Sequence, residues 1–295
     1  MSMPSADLPL LCPVCSNPLV LLGPGAGTQP RLACAAGHHF DAARQGYFNL
    51  LVGKGTSFEA DSAAMVQSRV NFLGNGHYLP LARAVASAVV PYLSETGAAV
   101  LDSGTGTGHY LREILDAADA GGRHVAAIGL DISKFALRRA ARLNPEAINM
   151  VCDIWQPLPV ATGSVDAVTV VFAPRNPAEF ARVLRPAGAL VVVTPRPGHL
   201  AELAAVTGML GIEEGKDDRL AEGMAGYFDL DSSSDVDIAL TLTRAAAADL
   251  AFMGPAGHHL DPGHIAERLE SRPEPVTAGA RFRLMVFRPR KHGAA

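Results

Sequence analysis

Three observations predict an α/β fold on a mostly parallel, seven-stranded sheet. Apolar runs of strand length alternate with helix-length segments through the middle of the chain. A glycine-rich turn, Gly104-x-Gly106-x-Gly108, follows the first of these strands, and an acid, Asp131, ends the second. Strands alternating with amphipathic helices indicate a parallel sheet covered on both faces.

In chain order, residues 1–50 read as a small separate module, poor in apolar periodicity and rich in turn formers such as Gly23-Pro24-Gly25-Ala26-Gly27. Residues 51–95 read as a helical linker, with helices expected over 61–73 and 80–93. Residues 96–295 carry the main domain. Its expected order is strand 98–102, helix 108–118, strand 125–130, helix 133–142, strand 148–152, strand 166–172, helix 177–184 and strand 188–194. Leu184-Arg185-Pro186-Ala187-Gly188 reads as a turn before that last strand. Helical segments follow around 199–210 and 216–226. The stretches 236–243 and 281–287 then alternate as a closing antiparallel pair.

Glycine lets a backbone turn sharply and approach a ligand with no Cβ in the way. The dinucleotide fingerprint spaces its third glycine two residues further on, so that a pyrophosphate meets the helix N-terminus. Here an acid leads the loop, as Asp102-x-Gly104-x-Gly106-x-Gly108. A carboxylate at that point repels a pyrophosphate but suits an ammonium group. Asp131 offers acceptors for ribose hydroxyls. Asp153 can take an adenine amino group while Ile154 packs on the ring. These residues predict a class I S-adenosylmethionine-dependent, Rossmann-like methyltransferase domain.

The 295 residues are 48% apolar and 18% charged, with a formal charge of −4. That composition fits a water-soluble globular chain and shows no global attraction to a polyanion. No apolar run reaches the length of a membrane span and no secretory leader is evident, so a cytoplasmic enzyme with no membrane partner is expected. Three of the four cysteines fall within the first 34 residues. In a reducing compartment such a cluster points to metal. Cys12 and Cys15 form one chelating pair, and Cys34 with His38 or His39 completes a four-ligand structural zinc site. Cys152 lies on an apolar strand and is expected to pack.

Several stretches together resemble the 23S rRNA guanine-N1 methyltransferase family over nearly the whole chain. They are Cys-Pro-x-Cys at 12–15, His-x-Phe-Asp-x-Ala-x-x-Gly-Tyr-x-Asn-Leu-Leu at 38–51, Asp61-Ser62-Ala63-Ala64-Met65, Gly76-His77-Tyr78, the loop at 102–108, Phe172-Ala173-Pro174-Arg175-Asn176-Pro177, and Thr194-Pro195-x-x-x-His199-Leu200. The chain looks most like the actinobacterial branch that modifies guanosine 748 and confers resistance to tylosin-type macrolides. The resemblance implies an N-terminal zinc-binding module and a 23S rRNA hairpin as partner. It also implies His38 as the fourth metal ligand and cofactor contacts from Tyr78, Gly106, Thr107 and His199.

Guanine N1 carries a proton at neutral pH, so methylation requires its removal. Near the end of the fourth strand, Asn176 is a candidate to bond the guanine edge, and Arg175 to stabilise charge developing on O6. Arg31, Arg44, Lys54 and Arg69 are candidate phosphate contacts, and Tyr47 or Phe48 could stack on a base or simply fill the core. A homodimer whose paired zinc modules cradle the hairpin is a further expectation. Two other readings share parts of this pattern. A small-molecule methyltransferase leaves the metal module without a task, and a non-enzymatic ribosome-binding zinc protein leaves the acids from 102 to 153 without one.

Overall fold

The computed structural model describes residues 8–23, 29–53, 58–209 and 222–290. Strands β1 (Leu19–Leu22), β2 (Arg31–Cys34) and β3 (His39–Asp41) make a small antiparallel sheet in the order β1-β2-β3. The two-residue β4 (Phe48–Asn49) leaves this ribbon and joins the main sheet. Helices α1 (Ala63–Gly74) and α2 (Leu79–Val89) follow. Ser62 caps α1 by accepting the Met65 N–H, and Pro80 sits in the first turn of α2, where a missing N–H costs nothing.

The central alternation is β5 (Ala98–Ser103), α3 (His109–Ala120), β6 (Val125–Asp131), α4 (Lys134–Leu143), β7 (Ile148–Val151), β8 (Val165–Val171), α5 (Pro177–Val183) and β9 (Leu184–Pro195). After α6 (Ala201–Thr207) come β10 (Phe228–Leu242), α7 (Arg244–Phe252), α8 (Pro262–Glu270) and β11 (Val276–Pro289). The main sheet runs β10-β11-β9-β8-β5-β6-β7-β4. The six strands from β9 to β4 are parallel, and β11 is antiparallel to both β9 and β10.

All seven expected strands are present, and β4 makes the sheet eight-stranded rather than seven-stranded. Two residues carry no readable alternation, which is why β4 escaped the sequence. The closing pair is longer than its apolar alternation suggested, because β10 extends through the exposed, polar 229–235 stretch as an edge strand. The turn expected at 184–188 survives as a bulge: Val165 pairs with Leu184, but Ala167 pairs with Ala189. The helix expected over 199–210 is the shorter α6, and most of the one expected over 216–226 lies outside the described residues. Helices α7 and α8 went unread, although Thr243 and Asp261 cap them.

β5, β7 and β8 are buried along their whole length, as strands covered on both faces must be. On one face pack α2, α3 and α6–α8, through residues such as Leu81, Leu111, Ile114 and Leu250. On the other face α5 contributes Phe180 and Val183. There the ribbon contributes Leu10, Leu19 and Leu32 to the same cluster as Leu101, Ile128 and Val168. Backbone bonds fasten it as well: Leu11 N–H to Pro159 O (3.0 Å), Ala161 N–H to Pro9 O (2.8 Å) and Leu50 N–H to Val151 O (3.0 Å).

Asp166, at the start of β8, is 3% exposed and pins three segments. Its Oδ2 accepts the Ala99 N–H (2.8 Å), and its Oδ1 accepts the Ser94 hydroxyl (2.6 Å) and an Arg185 guanidinium N–H (2.7 Å). Asp166→Ala leaves the Ala99 N–H without its acceptor and the Arg185 cation without its carboxylate partner. We expect a loss of about 3 kcal/mol in urea unfolding, whereas Glu95→Ala, exposed ahead of β5, should change stability by less than about 0.5 kcal/mol.

Candidate functional site

The loop after β5 is shaped by contacts that exclude any Cβ. Gly104 has φ +80°, and a Cβ there would lie 2.2 Å from the Ala173 Cβ. Gly108 has φ +84°, and a Cβ there would lie 2.5 Å from Asn144 Nδ2. The Gly104 and Thr105 N–H groups both donate to Leu130 O (2.8 Å), which folds the loop over the end of β6. Thr107 is buried beside it.

Asp102 is 2% exposed. Its Oδ1 accepts the Thr169 hydroxyl (2.6 Å), while its Oδ2 is buried without a hydrogen-bond partner. Burial raises its pKa to about 6. A carboxylate oxygen held dry and unpartnered matches the ammonium of a methionine moiety, so the donor set fits S-adenosylmethionine. Asp131 accepts the Gly106 N–H (2.8 Å) on Oδ2 and the Ser133 N–H (2.8 Å) on Oδ1. These bonds orient it and leave lone pairs for ribose hydroxyls. Burial raises its pKa as well. Asp153 accepts the Trp155 N–H (3.0 Å) just past the end of β7.

Tyr78 and His199 converge on one ring, Phe282 of β11, at centroid distances of 5.1 and 4.8 Å. Tyr78 is fully enclosed, and burial holds its phenol well above the usual range. His199 Nδ1 accepts the Arg281 N–H (3.0 Å), and burial lowers its pKa to about 4, so it is neutral with its proton on Nε2 at pH 7. Neither residue is poised to carry a proton at neutral pH.

Asn176 makes two bonds within the fold. Its Oδ1 accepts the Glu179 N–H as the cap of α5, and its Nδ2 donates to Ile154 O (2.8 Å). It ties the loop after β7 to the loop after β8. Arg175 is half-buried in that same loop. Of the expected phosphate contacts, Arg69 points inward: it pairs with Asp61 (2.5 Å), donates to Met253 O (2.5 Å) and sits over Gly106. Arg31 pairs with Asp41 at the surface, Arg44 is exposed, and Lys54 lies outside the described residues. Tyr47 and Phe48 are core residues at 9% and 2% exposure, which rules out stacking on a base.

Sequence reasoning assigned no role to Phe172 or Phe282, and it missed Arg69 as a loop residue. Phe172 has φ +56°, a left-handed conformation that costs a bulky side chain about 1–2 kcal/mol, and it is 44% exposed. A non-glycine residue at positive φ leaves no trace in the sequence.

In the ribbon, Cys12, Cys15, Cys34 and His38 place their ligand atoms within 4.8 Å of one another. Cys15 Sγ to Cys34 Sγ is 3.7 Å, Cys12 Sγ to His38 Nδ1 is 3.6 Å and Cys34 Sγ to His38 Nδ1 is 3.5 Å. Zinc bonds of about 2.0–2.3 Å give a tetrahedron with edges near these lengths, so the set fits a closed structural zinc site. His39 is exposed and turned toward Gly37 O. Cys152 is buried on the main sheet, and burial pushes its thiol up to about 12.

Two predictions follow from these geometries. Cofactor affinity, measured by calorimetry, should be about tenfold weaker at pH 5 than at pH 7, as Asp102 protonates below about pH 6; Asp102→Asn should weaken binding and flatten that dependence. The stability linked to Asp102 has the opposite sign, because its folded pKa lies above the unfolded value: it is fully present below about pH 4 and lost as pH rises through 6. The wild-type chain should hold one zinc. Cys34→Ser should hold none and melt several degrees lower, because the ribbon shares its core with the main sheet, whereas Cys152→Ser should keep its zinc.

Comparison with known proteins agrees with this geometry. A zinc-ribbon family model described as RlmA, N-terminal, matches residues 10–54, and one described as a methyltransferase domain matches residues 100–188. A 23S rRNA guanine-N1 methyltransferase from Micromonospora griseorubida is 42% identical over 294 residues, covering 95% of this chain and 97% of the relative. The 23S rRNA (guanine(748)-N1)-methyltransferase of Streptomyces fradiae is 41% identical, covering 90% and 91%. Among solved structures, a chain from the Haloferax volcanii complex of a methyltransferase with its Trm112 activator superposes with a TM-score of 0.51 at 18% identity, over 80% of this chain and 100% of that one. That likeness shows the fold: a class I S-adenosylmethionine-dependent methyltransferase sheet. The ribbon, the cofactor loop and the closing strands are thus shared along almost the full length, and the chain belongs to the 23S rRNA guanine-N1 methyltransferase family.

Proposed function

We propose that this chain transfers the methyl group of S-adenosylmethionine to N1 of guanosine 748 in a 23S rRNA hairpin. The carrying observation is the union of two sites in one body: a dry, acid-lined cofactor cradle and a zinc ribbon whose outgoing strand β4 pairs with β7. A small-molecule methyltransferase has no use for the ribbon, and a non-enzymatic ribosome-binding protein has no use for the unpartnered oxygen of Asp102.

The cofactor supplies an electrophilic methyl on sulfur, so the protein's work is mainly positioning. Asp102 would hold the ammonium, Arg69 above Gly106 the carboxylate, Asp131 the ribose and Asp153 the adenine amino group. Gly104, Gly106, Thr107 and Gly108 present backbone. Tyr78 and His199 wall the reacting end. Guanine N1 would be the acceptor of that methyl group, and its proton would pass to solvent. Arg175 offsets charge on O6, while Asn176 acts as a positioning residue through Ile154. N1 is paired inside a duplex, so the target nucleotide is drawn out of its stack. Exposed Arg44 on the ribbon side is available to the hairpin phosphates, and the reaction belongs in the cytoplasm with the ribosome.

Incubation with labelled S-adenosylmethionine and unmodified 23S rRNA, followed by primer extension, should give one stop at position 748. Asp131→Ala should reduce transfer by about a hundredfold. Label entering only small molecules, or cofactor binding without transfer to any RNA, would overturn the assignment.

A further inference from the structure

We propose that Phe172 is the platform on which the extruded target guanine stacks, orienting N1 toward the methyl donor. The inference rests on the preceding reading that the acceptor is a guanosine in RNA.

Four observations converge on this side chain. Its backbone is left-handed at φ +56°, although Val170 and Val171 just before it are ordinary buried strand residues. A bulky residue persists in that conformation only where its surroundings over-determine it, and such residues gather at ligand clamps. Its ring is braced rather than free: Tyr110 meets it edge-on at 6.3 Å and 80°, and Phe282 lies at 5.3 Å. Despite both neighbours, 44% of the residue is open to solvent.

Its place in the chain decides what it faces. Three residues earlier, the Thr169 hydroxyl holds Asp102. One residue later, Ala173 presses on Gly104 so closely that no Cβ fits there. The ring therefore stands beside the methionine end of the cofactor cradle, at the carboxyl end of β8, where open α/β sheets bind ligands. The Phe172 N–H donates to Val193 O (3.3 Å), which fixes the corner against β9. A purine presents a flat π-face, and an aromatic ring braced by its neighbours can receive it without losing much freedom. Stacking does not distinguish guanine from adenine, so base choice falls to the polar groups around it.

The test separates a π-face from mere bulk. Phe172→Tyr and Phe172→Trp should keep methyl transfer to the hairpin within a few fold. Phe172→Leu, which retains apolar volume, should lose about tenfold or more in kcat/KM for RNA, with cofactor Kd and Tm unchanged. Phe172→Gly should lose at least as much activity at an equal or higher Tm, because glycine accepts positive φ without strain. With 2-aminopurine replacing the target guanine, emission should be quenched in the wild-type complex and bright with Phe172→Leu. Full activity of Phe172→Leu alongside an active wild type overturns the inference while sparing the assigned reaction. A wild type that transfers no methyl to RNA overturns both.

Discussion

A parallel sheet with two apolar faces must be covered on both, and this requirement organises the molecule. One face of β5, β8 and β9 is covered by helices from both ends of the chain. On the other face α5 is too short to do this alone, and the zinc ribbon supplies Leu10, Leu19 and Leu32 as the missing layer. The metal thus acts beyond its ligands. By holding Cys12, Cys15, Cys34 and His38 together, it keeps three short strands in a shape that can seal a large sheet. Such strands have too little core to persist alone.

The same packing couples donor and acceptor sites. The end of β8 presents Thr169 to Asp102, Phe172 to solvent and Ala173 to Gly104 within five residues. A shift of the cofactor loop cannot occur without moving the corner that bears Phe172. Asn176 extends the coupling to the adenine side by tying Ile154 to the start of α5. From the opposite side, Ser133 donates to Asp61 O (3.1 Å), and Asp61 pairs with Arg69 over the glycine loop. Helix α1 is thereby tied to the glycine loop, although it precedes the sheet in sequence.

Legibility followed the range of the interactions. The zinc ligands and the glycine loop were readable because each works through a local pattern: a chelating pair and a turn. Tyr47 and Phe48 show the converse. An aromatic pair in a basic, turn-rich segment suits base stacking as well as packing, and only the fold buries both. Arg69 looked like a phosphate contact because nothing near it in sequence reveals Asp61 and Met253 O as its partners. The bond from Asn176 to Ile154 O is likewise invisible in the sequence, because it depends on how α5 meets the loop after β7.

The sequence by itself determined the class of fold, the methyl donor, the metal set and, through family resemblance, the reaction. Those properties reside in residue chemistry at short spacing, which survives any arrangement of the rest. Only the tertiary structure decided that the ribbon is a layer of the sheet's own core. It also decided that Arg69 belongs to the cofactor loop and that Phe172 stands strained and open beside it. These properties depend on contacts between segments far apart in the chain, and those contacts exist only once the two faces of the sheet have been closed.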